Sequence, residues 1–501
     1  MGRKAKSLDD LPNELIHRIL QYSDSGSVIA CTLVCRSLHD VIRQSTELQY
    51  LFELGMDGMV NCAGPTIPYQ DRLKELIGHR KAWANLRWRQ SSLRIPGEIE
   101  ELNLYGFVAG VFAKLIHRQT FVTRHLSTIN AHESNDRWID RELSFPAKEF
   151  VMDPTQDLVI FLEEDTRPWS YNGQRSICLH VQTLSTGDPH PLARNAALTF
   201  DIPPHPDESG RNNIWQRLGR PRRHAFSVLE LEERPRLIDG YIEFIECSFI
   251  SPRAVVFASA GETSPSLNIC TFEYDQETAE TTTTHKANLR LPEPVSNSYF
   301  DVTAMQTPPI LDPAHFPPSK TAATAPESHI NVVSCRLTTD DGEEHELYLF
   351  VPNSILWDYA SNPPVEEVPW EDWGPENTHL EGHPLGTYVF SSYGSRVVSS
   401  SLEPDSIDII DLNPRRREGP SLSTAEPGLA RRTYSTHSTA PPGLFQGDGA
   451  YTCLPIWRTT RQLNSSYSAF FIDDERIVGL KEEPEESFDD SDCEDADILA
   501  F

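Results

Sequence analysis

The sequence lacks the cysteine spacing of disulfide-rich and zinc-binding domains. Its nine cysteines are spread from Cys31 to Cys493, and no C-x-x-C pair occurs. An odd, scattered set of this kind excludes a disulfide framework and a zinc site with the usual ligand spacing. We therefore expect free thiols in a reducing compartment, with the protein in the cytoplasm, the nucleus or both.

Long apolar runs and basic surface are also missing. No stretch approaches the roughly 20 apolar residues that span a bilayer, and Met1 to Ser7 are not followed by the apolar core of a signal peptide. The chain has 44 Lys and Arg against 74 Asp and Glu, a formal net charge of −30. Because phosphate neutralisation needs a basic surface, we expect neither a nucleic-acid partner nor a membrane partner.

The negative charge is concentrated at the C-terminus, where ten acidic residues lie between Glu482 and Asp497. Such a block repels itself and has few apolar residues to bury. We therefore predict a disordered acidic tail over residues 482–501.

Catalytic motifs are absent as well. The sequence has no G-x-S-x-G elbow, no H-E-x-x-H, no P-loop and no G-x-G-x-x-G. The nearest carboxylate clusters, Glu163-Glu164-Asp165 and Glu366-Glu367, are runs of adjacent residues, whose side chains point apart on a strand. We predict no catalytic residues, no cofactor and no metal. An enzyme with a carboxylate pair is the least favoured alternative.

What the sequence does have is a set of three short helical patterns near its start. Pro12 suits the first turn of a helix, and apolar residues at helical spacing follow it up to Leu20. Val28–Cys35 is apolar nearly all round, and Arg36–Ser45 has one apolar side. Domains of about forty residues rarely bury this much apolar surface alone. Either a partner protein or the rest of the chain covers the remainder.

The same residues resemble a known family. Leu11-Pro12-x-Glu14, Ile19-Leu20, Asp24 and Leu33-Val34-Cys35-Arg36 resemble the F-box motif in order and spacing, and the resemblance covers residues 5–52. It implies docking onto the Skp-family adaptor of a cullin–RING ubiquitin ligase. The adaptor-binding positions that it implies are Leu11, Pro12, Leu15, Ile16, Ile19, Leu20, Leu33, Val34 and Cys35.

Two positions depart from the family pattern. Ser23 stands where a leucine usually closes the first helix, and Leu38 stands where an aromatic residue is common in the third. Both substitutions reduce the apolar core, so the resemblance implies a somewhat weaker adaptor contact.

The rest of the chain predicts a helical linker and a large β domain. Residues 65–91 have a helical pattern, interrupted near Gly78, and over 92–481 the apolar period changes towards two. About 390 residues exceed one β-sandwich, so repeated sheets are expected: a β-propeller of about six to eight blades, with two stacked sandwiches as the alternative. The predicted fold class is α+β multidomain, with a three-helix F-box, a helical linker and an all-β, propeller-like substrate-binding domain.

Two further features bear on function. Asp153–Val159, a turn at 184–191 and Phe471–Lys481 are similar to fungal, basidiomycete-type F-box proteins. Long polar loops at 203–224 and 413–450 carry arginine clusters. Four interpretations of these loops are open: capture of an acidic or phosphorylated substrate, nuclear import, loose pairing with the chain's own acidic tail, and plain solvation.

Three functions are compatible with these observations. The leading one is the non-catalytic substrate receptor of a Skp–cullin–F-box ubiquitin ligase, which recruits a protein substrate through its β domain. The second is an adaptor-binding scaffold without a role in ubiquitination. The third is a propeller enzyme whose turnover the F-box controls.

Overall fold

The helices lie at the N-terminus and in one insertion of the β region. The structure is a computed structural model that describes residues 11–62, 67–97, 104–126, 137–164, 175–193, 195–202, 246–259, 265–275, 280–316, 320–383, 390–413, 430–438, 440–447, 450–482 and 493–501. Its helices are α1 (Asn13–Gln21), α2 (Ser25–Val34), α3 (Arg36–Gln44), α4 (Thr46–Asp57), α5 (Tyr69–Ala84), α6 (Asn353–Ser361) and α7 (Trp370–Asn377). Within those ranges, no helix has both the length and the apolar character needed to cross a bilayer.

The strands form a succession of antiparallel sheets. A short strand β1 (Met59–Asn61) comes first. Sheet one contains β3 (Leu104–Val108), β4 (Val111–Ile116), β5 (Thr120–His125) and β6 (Ile139–Glu142); sheet two contains β7 (Ala147–Asp153), β8 (Leu158–Glu164), β9 (Arg175–Thr183) and β10 (Ala197–Ile202); sheet three contains β11 (Glu246–Ser251), β12 (Ala254–Ser259), β13 (Ser266–Asp275) and β14 (Glu280–Arg290).

The later sheets are also antiparallel. One short strand is inserted in the chain between two strands of sheet four, and sheet six includes β2 from the beginning of the β region. Sheet four contains β15 (Tyr299–Gln306), β17 (Ile330–Thr338), β18 (Glu344–Pro352) and β19 (His379–His383), with the short β16 (Ala322–Thr324) inserted after β15; sheet five contains β20 (Ser391–Tyr393), β21 (Arg396–Ser400), β22 (Ser406–Asp411), β24 (Ile456–Gln462) and β23 (Ala430–Ser435); sheet six contains β25 (Tyr467–Ile472), β26 (Arg476–Lys481), β27 (Cys493–Ala500) and β2 (Arg89–Pro96).

Among the described residues, these six sheets close into a ring. Each sheet shares one buried hydrophobic cluster with the next, and sheet six shares one with sheet one. The rings of Phe121 and Phe150, 5.0 Å apart, lie between sheets one and two, and those of Phe112 and Phe471, 5.7 Å apart, lie between sheets one and six. Radially repeated sheets with this closure are a β-propeller. The predicted fold class is therefore confirmed, and the alternative of two sandwiches is not.

The prediction of a disordered acidic tail is wrong for the last residues of the chain, which belong to sheet six. Residues Cys493–Ala500 form β27, which pairs with β26 on one side and β2 on the other, so they are not disordered. Their buried carboxylates have partners from distant parts of the chain. Glu494 lies 3.2 Å from Lys114 Nζ, and Asp497 accepts a hydrogen bond of 2.7 Å from the Tyr467 hydroxyl. Because each buried acid is paired, an acidic segment becomes the strand that closes the ring.

The N-terminal helices have a small core of their own. Ile16 and Leu20 of α1 pack with Val28 of α2 and with Leu38, Val41 and Ile42 of α3. The predicted departure at Leu38 is accommodated, because this side chain is buried in that core. Helix α4 extends the predicted three helices, and its N-cap Ser45 accepts a hydrogen bond from the Leu48 N–H.

A strand pair and a helix attach this helical domain (α1–α4) to the propeller. Strand β1 pairs antiparallel with β16, and the Tyr50 hydroxyl of α4 donates to the Thr321 carbonyl at 3.1 Å. Arg80 of α5 forms ion pairs of 2.7 Å with Glu53 and 2.8 Å with Asp57 of α4. These contacts fix α4 and α5 relative to each other and to sheet four.

Helix α5 then packs on sheets five and six through one tryptophan. The Trp83 ring stacks on Phe501 with ring centres 3.7 Å apart. The Arg396 guanidinium also lies over the Trp83 ring, 4.4 Å from its centre. Its indole N–H donates to the Asp474 carbonyl at 3.2 Å. These contacts make Trp83 a packing residue between α5 and the propeller.

The turns define two faces of the propeller. Turns alternate between the two ends of an antiparallel sheet, so connections from the first to the second strand lie at one end. The helical domain and α5 contact these connections. Strand β1 pairs with β16, which lies in the chain between β15 and β17 of sheet four, and Trp83 of α5 contacts Arg396 in sheet five and Asp474 in sheet six. We call this end the proximal face. The opposite end, where second strands connect to third strands, is the distal face.

The arginine-rich loops are described only in part. The clusters at 211–223 and 415–417 lie outside the described residues. Arg431 and Arg432 lie on β23, where Arg432 stacks over Trp457 at 4.3 Å. Arg431 pairs with Glu403 at 2.7 Å.

Candidate docking site

The clearest candidate site is an apolar patch on the helical domain. Leu33 and Val34 at the end of α2 are 84% and 70% exposed, and Leu15 and Ile19 on α1 are 49% and 44% exposed. Pro12, at the N-cap of α1 and shortly before Leu15 in sequence, is exposed as well. We call these five residues the apolar patch. Large side chains left in water at this density are typical of an interaction surface.

Two predicted contact residues do not belong to this surface. Ile16 and Leu20 are 1% and 2% exposed, because they point from α1 into the core shared with α2 and α3. In the structure they hold together the helices that present the patch, and their contact with a partner stays a prediction. Leu11 and Cys35 are half-buried and pack against the same helical core.

Local sequence explains how the two helices present the patch. Pro12 begins α1 without needing its own N–H, and Asp24 caps α2 by accepting hydrogen bonds from Ser27 N, at 2.8 Å, and Ser27 Oγ, at 2.6 Å. These bonds lower the pKa of Asp24, so the cap stays ionised. The break between the helices at Ser23 turns the chain, and Ser23 Oγ donates to the Ile19 carbonyl at 3.1 Å.

The helices that carry the apolar patch match a known protein family. Residues 8–48 match the F-box-like family model. The chain carries an F-box-like domain. The match coincides with α1 to α3 and contains the whole apolar patch, and it confirms the resemblance found in the sequence.

Comparisons of the whole chain add little. No curated protein matches it. Among solved structures, it is similar to the β-propeller domain of Myceliophteria thermophila Cps50 (Swd1), with 7% identity over 79% of this chain and 83% of that one, and a TM-score of 0.28. It is also similar to the RRP9 WD40 repeats, with 6% identity over 82% of this chain and 97% of that one, and a TM-score of 0.28. At such scores the similarity adds nothing to the fold assignment, which follows from the closed ring of sheets.

A second candidate site is a cavity on the distal face, opposite the F-box-like domain. Its volume is about 640 Å³, and it lies between sheets four, five and six. The β21–β22 turn, the β24–β25 connection and the end of β26 form its rim. Aromatic side chains line its wall: Tyr348, Phe390, Tyr467 and Phe470.

The charged residues that line this cavity are all acidic. They are Glu346, Glu403, Asp405 and Glu482, and no Lys, Arg or His accompanies them among the described lining residues. Arg336 lies 3.7 Å from Glu346, and Arg431 lies 2.7 Å from Glu403. Asp405 accepts a hydrogen bond of 2.5 Å from Ser466. With serine hydroxyls on several sides, the cavity can accept hydrogen bonds and positive charge.

The most conspicuous cluster of ionisable groups joins two sheets. Glu381 of β19 lies between His379 and His383 on the same strand face, and it pairs with Arg458, which also pairs with Asp408 at 2.9 Å. Burial raises the pKa of Glu381, but hydrogen bonds from both histidines and the Arg458 charge outweigh it, so the pKa lies far below its usual range. A carboxylate held ionised by so many partners is suited to joining sheets four and five rather than to proton transfer.

Sequence reasoning did not find the distal cavity or one group of three possible metal ligands, Glu163, Cys178 and His180. The cavity is assembled from three sheets whose residues are far apart in the chain. The metal-ligand group had a weak signal, because Cys178-x-His180 places two ligands on one face of a strand. Its third member comes from another strand, and spacing alone did not reveal it.

Proposed function

We propose that this protein is the substrate receptor of a Skp–cullin–F-box type ubiquitin ligase. The observation that carries the proposal is the apolar patch: five apolar residues of an F-box-like domain, left in water while the helices' own core is filled. A Skp-family adaptor would cover this patch by packing apolar side chains against α1 and the end of α2. Through the adaptor the chain would join a cullin–RING ligase.

The attachment of the F-box-like domain supports this function. The β1–β16 pair, the Arg80 ion pairs and the Trp83 contacts hold it on the proximal face. A substrate on the distal face would then keep a fixed position relative to the adaptor. Fixed geometry raises the effective concentration of substrate lysines near the ubiquitin-charged enzyme, without bond chemistry by the receptor itself. The receptor is therefore proposed to be non-catalytic, and to act in the cytoplasm or nucleus.

The distal cavity is the proposed substrate-docking surface. Its acidic and hydroxyl-rich lining is complementary to a peptide segment with Lys or Arg side chains, and its aromatic wall offers cation–π contacts. A segment rich in phosphate would be repelled by the same carboxylates. The arginine-rich loops therefore play no part in this proposal.

Affinity purification under proteasome inhibition tests the proposal with the full chain. A double variant, Leu33→Asp with Val34→Asp, changes two exposed residues of the patch, and Val365→Asp is the matched control because Val365 is also fully exposed but lies far along the chain. We expect the wild type and the control to recover adaptor, cullin and substrates. The double variant should lose adaptor and cullin and retain substrates.

The same experiment separates the alternatives. Adaptor recovered without cullin would favour a scaffold that takes no part in ubiquitination. Adaptor and cullin retained by the double variant would exclude the patch as the docking surface.

A further inference from the structure

Three potential metal ligands converge on one face of sheet two. Glu163 on β8 is the direct cross-strand partner of Cys178 on β9, and His180 lies two residues further along the same face of β9. Their ligand atoms (a carboxylate oxygen, Sγ and a ring nitrogen) all lie within 4.8 Å of one another. Two side chains at i and i+2 plus one from the neighbouring strand point to a common spot above the sheet.

The chemistry of this set favours zinc. A thiolate, an imidazole and a carboxylate are all zinc ligands, whereas calcium and magnesium prefer oxygen ligands alone. Bond lengths of about 2.0–2.3 Å place neighbouring ligand atoms about 3.3–3.8 Å apart in a tetrahedral site. His180 Nε2 and Glu163 Oε2 lie 2.7 Å apart. Small side-chain rotations would therefore suffice, and the strands need not move.

Neighbouring residues hold the three ligands in place. The Phe145 ring stacks on the His180 imidazole with ring centres 3.5 Å apart and planes 6° apart, which fixes the ring plane and leaves its nitrogen edge open. The hydroxyl of Thr199, on β10, lies 3.7 Å from Cys178 Sγ. All three ligands are half-buried, so water can reach a fourth position. Partners of this kind orient ligands at metal sites.

We propose that Glu163, Cys178 and His180 form a Zn²⁺ site with three protein ligands, and with water as the fourth. Binding would release the Cys178 thiol proton to solvent, leave the His180 ring proton on Nδ1 instead of Nε2, and replace the hydrogen bond between His180 Nε2 and Glu163 by two metal bonds. The ion would link β8 to β9 and stabilise sheet two. The proposal does not depend on the F-box-like domain or on the function proposed above.

The competing interpretation is an ordinary ion pair between His180 and Glu163 beside an inert thiol. It predicts no specific metal affinity. Cobalt separates the two, because Co²⁺ accepts the same ligands and a thiolate bond gives it a charge-transfer absorption that nitrogen and oxygen ligands do not give.

The test is a titration of the full chain, first treated with a chelator, with Co²⁺ and then with Zn²⁺. We expect thiolate charge-transfer absorption that saturates at one Co²⁺ per chain and disappears as Zn²⁺ displaces it. Cys178→Ser should abolish the absorption, and His180→Gln should weaken binding by about tenfold or more. The matched controls are Cys453→Ser, in the segment before β24, and His285→Gln, on β14, and both should leave the absorption unchanged.

Thermal unfolding provides a second measurement that does not depend on absorption. Zn²⁺ should raise the unfolding temperature of the wild type and of both controls, and it should have less effect on Glu163→Gln, which preserves the shape of the side chain. The proposal is overturned if the wild type shows no thiolate absorption with Co²⁺. It is also overturned if the absorption persists in Cys178→Ser.

Discussion

At the residue scale, neighbouring positions on α1 have opposite roles. Leu15 is half exposed on the apolar patch, while Ile16 is buried in the helical core. A motif describes both as apolar and cannot separate a residue that contacts a partner from one that supports the helix.

This difference leads to a first prediction about stability. Ile16→Ala should lower the local stability of the helical domain by about 2–5 kcal/mol, because it leaves a cavity between α1 and α3. Leu15→Ala should change it by no more than about 0.5 kcal/mol, because it removes an exposed side chain. Amide hydrogen exchange of α2 and α3 in the full chain measures the effect. Equal exchange rates in the two variants would show that the burial assigned to Ile16 is incorrect.

The second prediction concerns pH and His79. Burial and, to a smaller extent, the Arg396 charge lower the pKa of His79 to about 4, against the opposing effect of Asp474. Trp83 shares its one indole N–H between the Asp474 carbonyl and His79 Nε2, which lies 2.9 Å away and can accept only when the imidazole is neutral. Because the folded pKa lies below the unfolded value of about 6.5, the contribution to stability is complete above pH 6.5 and is lost as the pH falls towards 4.

Hydrogen exchange of α5 between pH 7 and 5 measures this effect. The wild type should lose protection by about 1.4 kcal/mol for each pH unit below 6.5. His79→Gln keeps an acceptor for the indole and has no imidazole to titrate, so its protection should depend less on pH. Identical pH dependence in the two proteins would contradict the assignment.

At the element scale, one of the contacts that attach the F-box-like domain to the propeller is made at a glycine. Gly58 ends α4 with φ of 67°, and a Cβ built on it would lie 2.5 Å from Ser328 Oγ. Its carbonyl accepts a hydrogen bond from Ala325 N at 3.0 Å, next to the β1–β16 pair. A side chain here would therefore strain the backbone and push β1 away from β16.

The third prediction follows from this geometry. Gly58→Ala should cost about 1–2 kcal/mol from the left-handed backbone alone, and it should speed limited proteolysis of the segment between α4 and α5. Gly78→Ala is the matched control, because a Cβ at Gly78 meets nothing within 4 Å and alanine favours a helix by about 1 kcal/mol. The two variants should differ in the rate at which a protease separates the helical domain from the propeller. If their rates match, β1 does not hold the two parts together.

The elements also show what the sequence could and could not predict. The helices α1 to α3 and most strands were predictable, because their apolar residues follow the period of each structure. Strand β27 was not predictable from composition. Its acidic residues indicated disorder, but Lys114, Tyr467 and Lys481 compensate them from distant segments. The pair of Lys114 and Glu494, which are 380 residues apart in the chain, leaves no local signal.

At the scale of the whole molecule, the propeller was predictable and its surfaces were not. Length and repeated short strands indicated a ring of sheets, and the six shared clusters confirm it. The distal cavity and the three proposed zinc ligands depend on which strands become neighbours. The docking patch was half predictable, because the motif identified its helices and only the fold shows which side chains remain outside. The predicted domain boundaries remain a prediction.

The described residues form a propeller with an F-box-like domain on one face and an acidic cavity on the other. The two are joined by packed strands and helices. This arrangement suits a protein that holds two partners at a fixed separation. The apolar patch is the part on which that function depends.

The most direct measurement is a calorimetric titration of the purified full chain with a purified Skp-family adaptor. The wild type should bind one adaptor per chain. A double variant that places one charge on each helix of the patch, Ile19→Asp with Leu33→Asp, should bind about a hundredfold more weakly or not at all, with an unchanged unfolding temperature. If the variant binds the adaptor as tightly as the wild type, the apolar patch is not the docking surface and the proposed function is wrong.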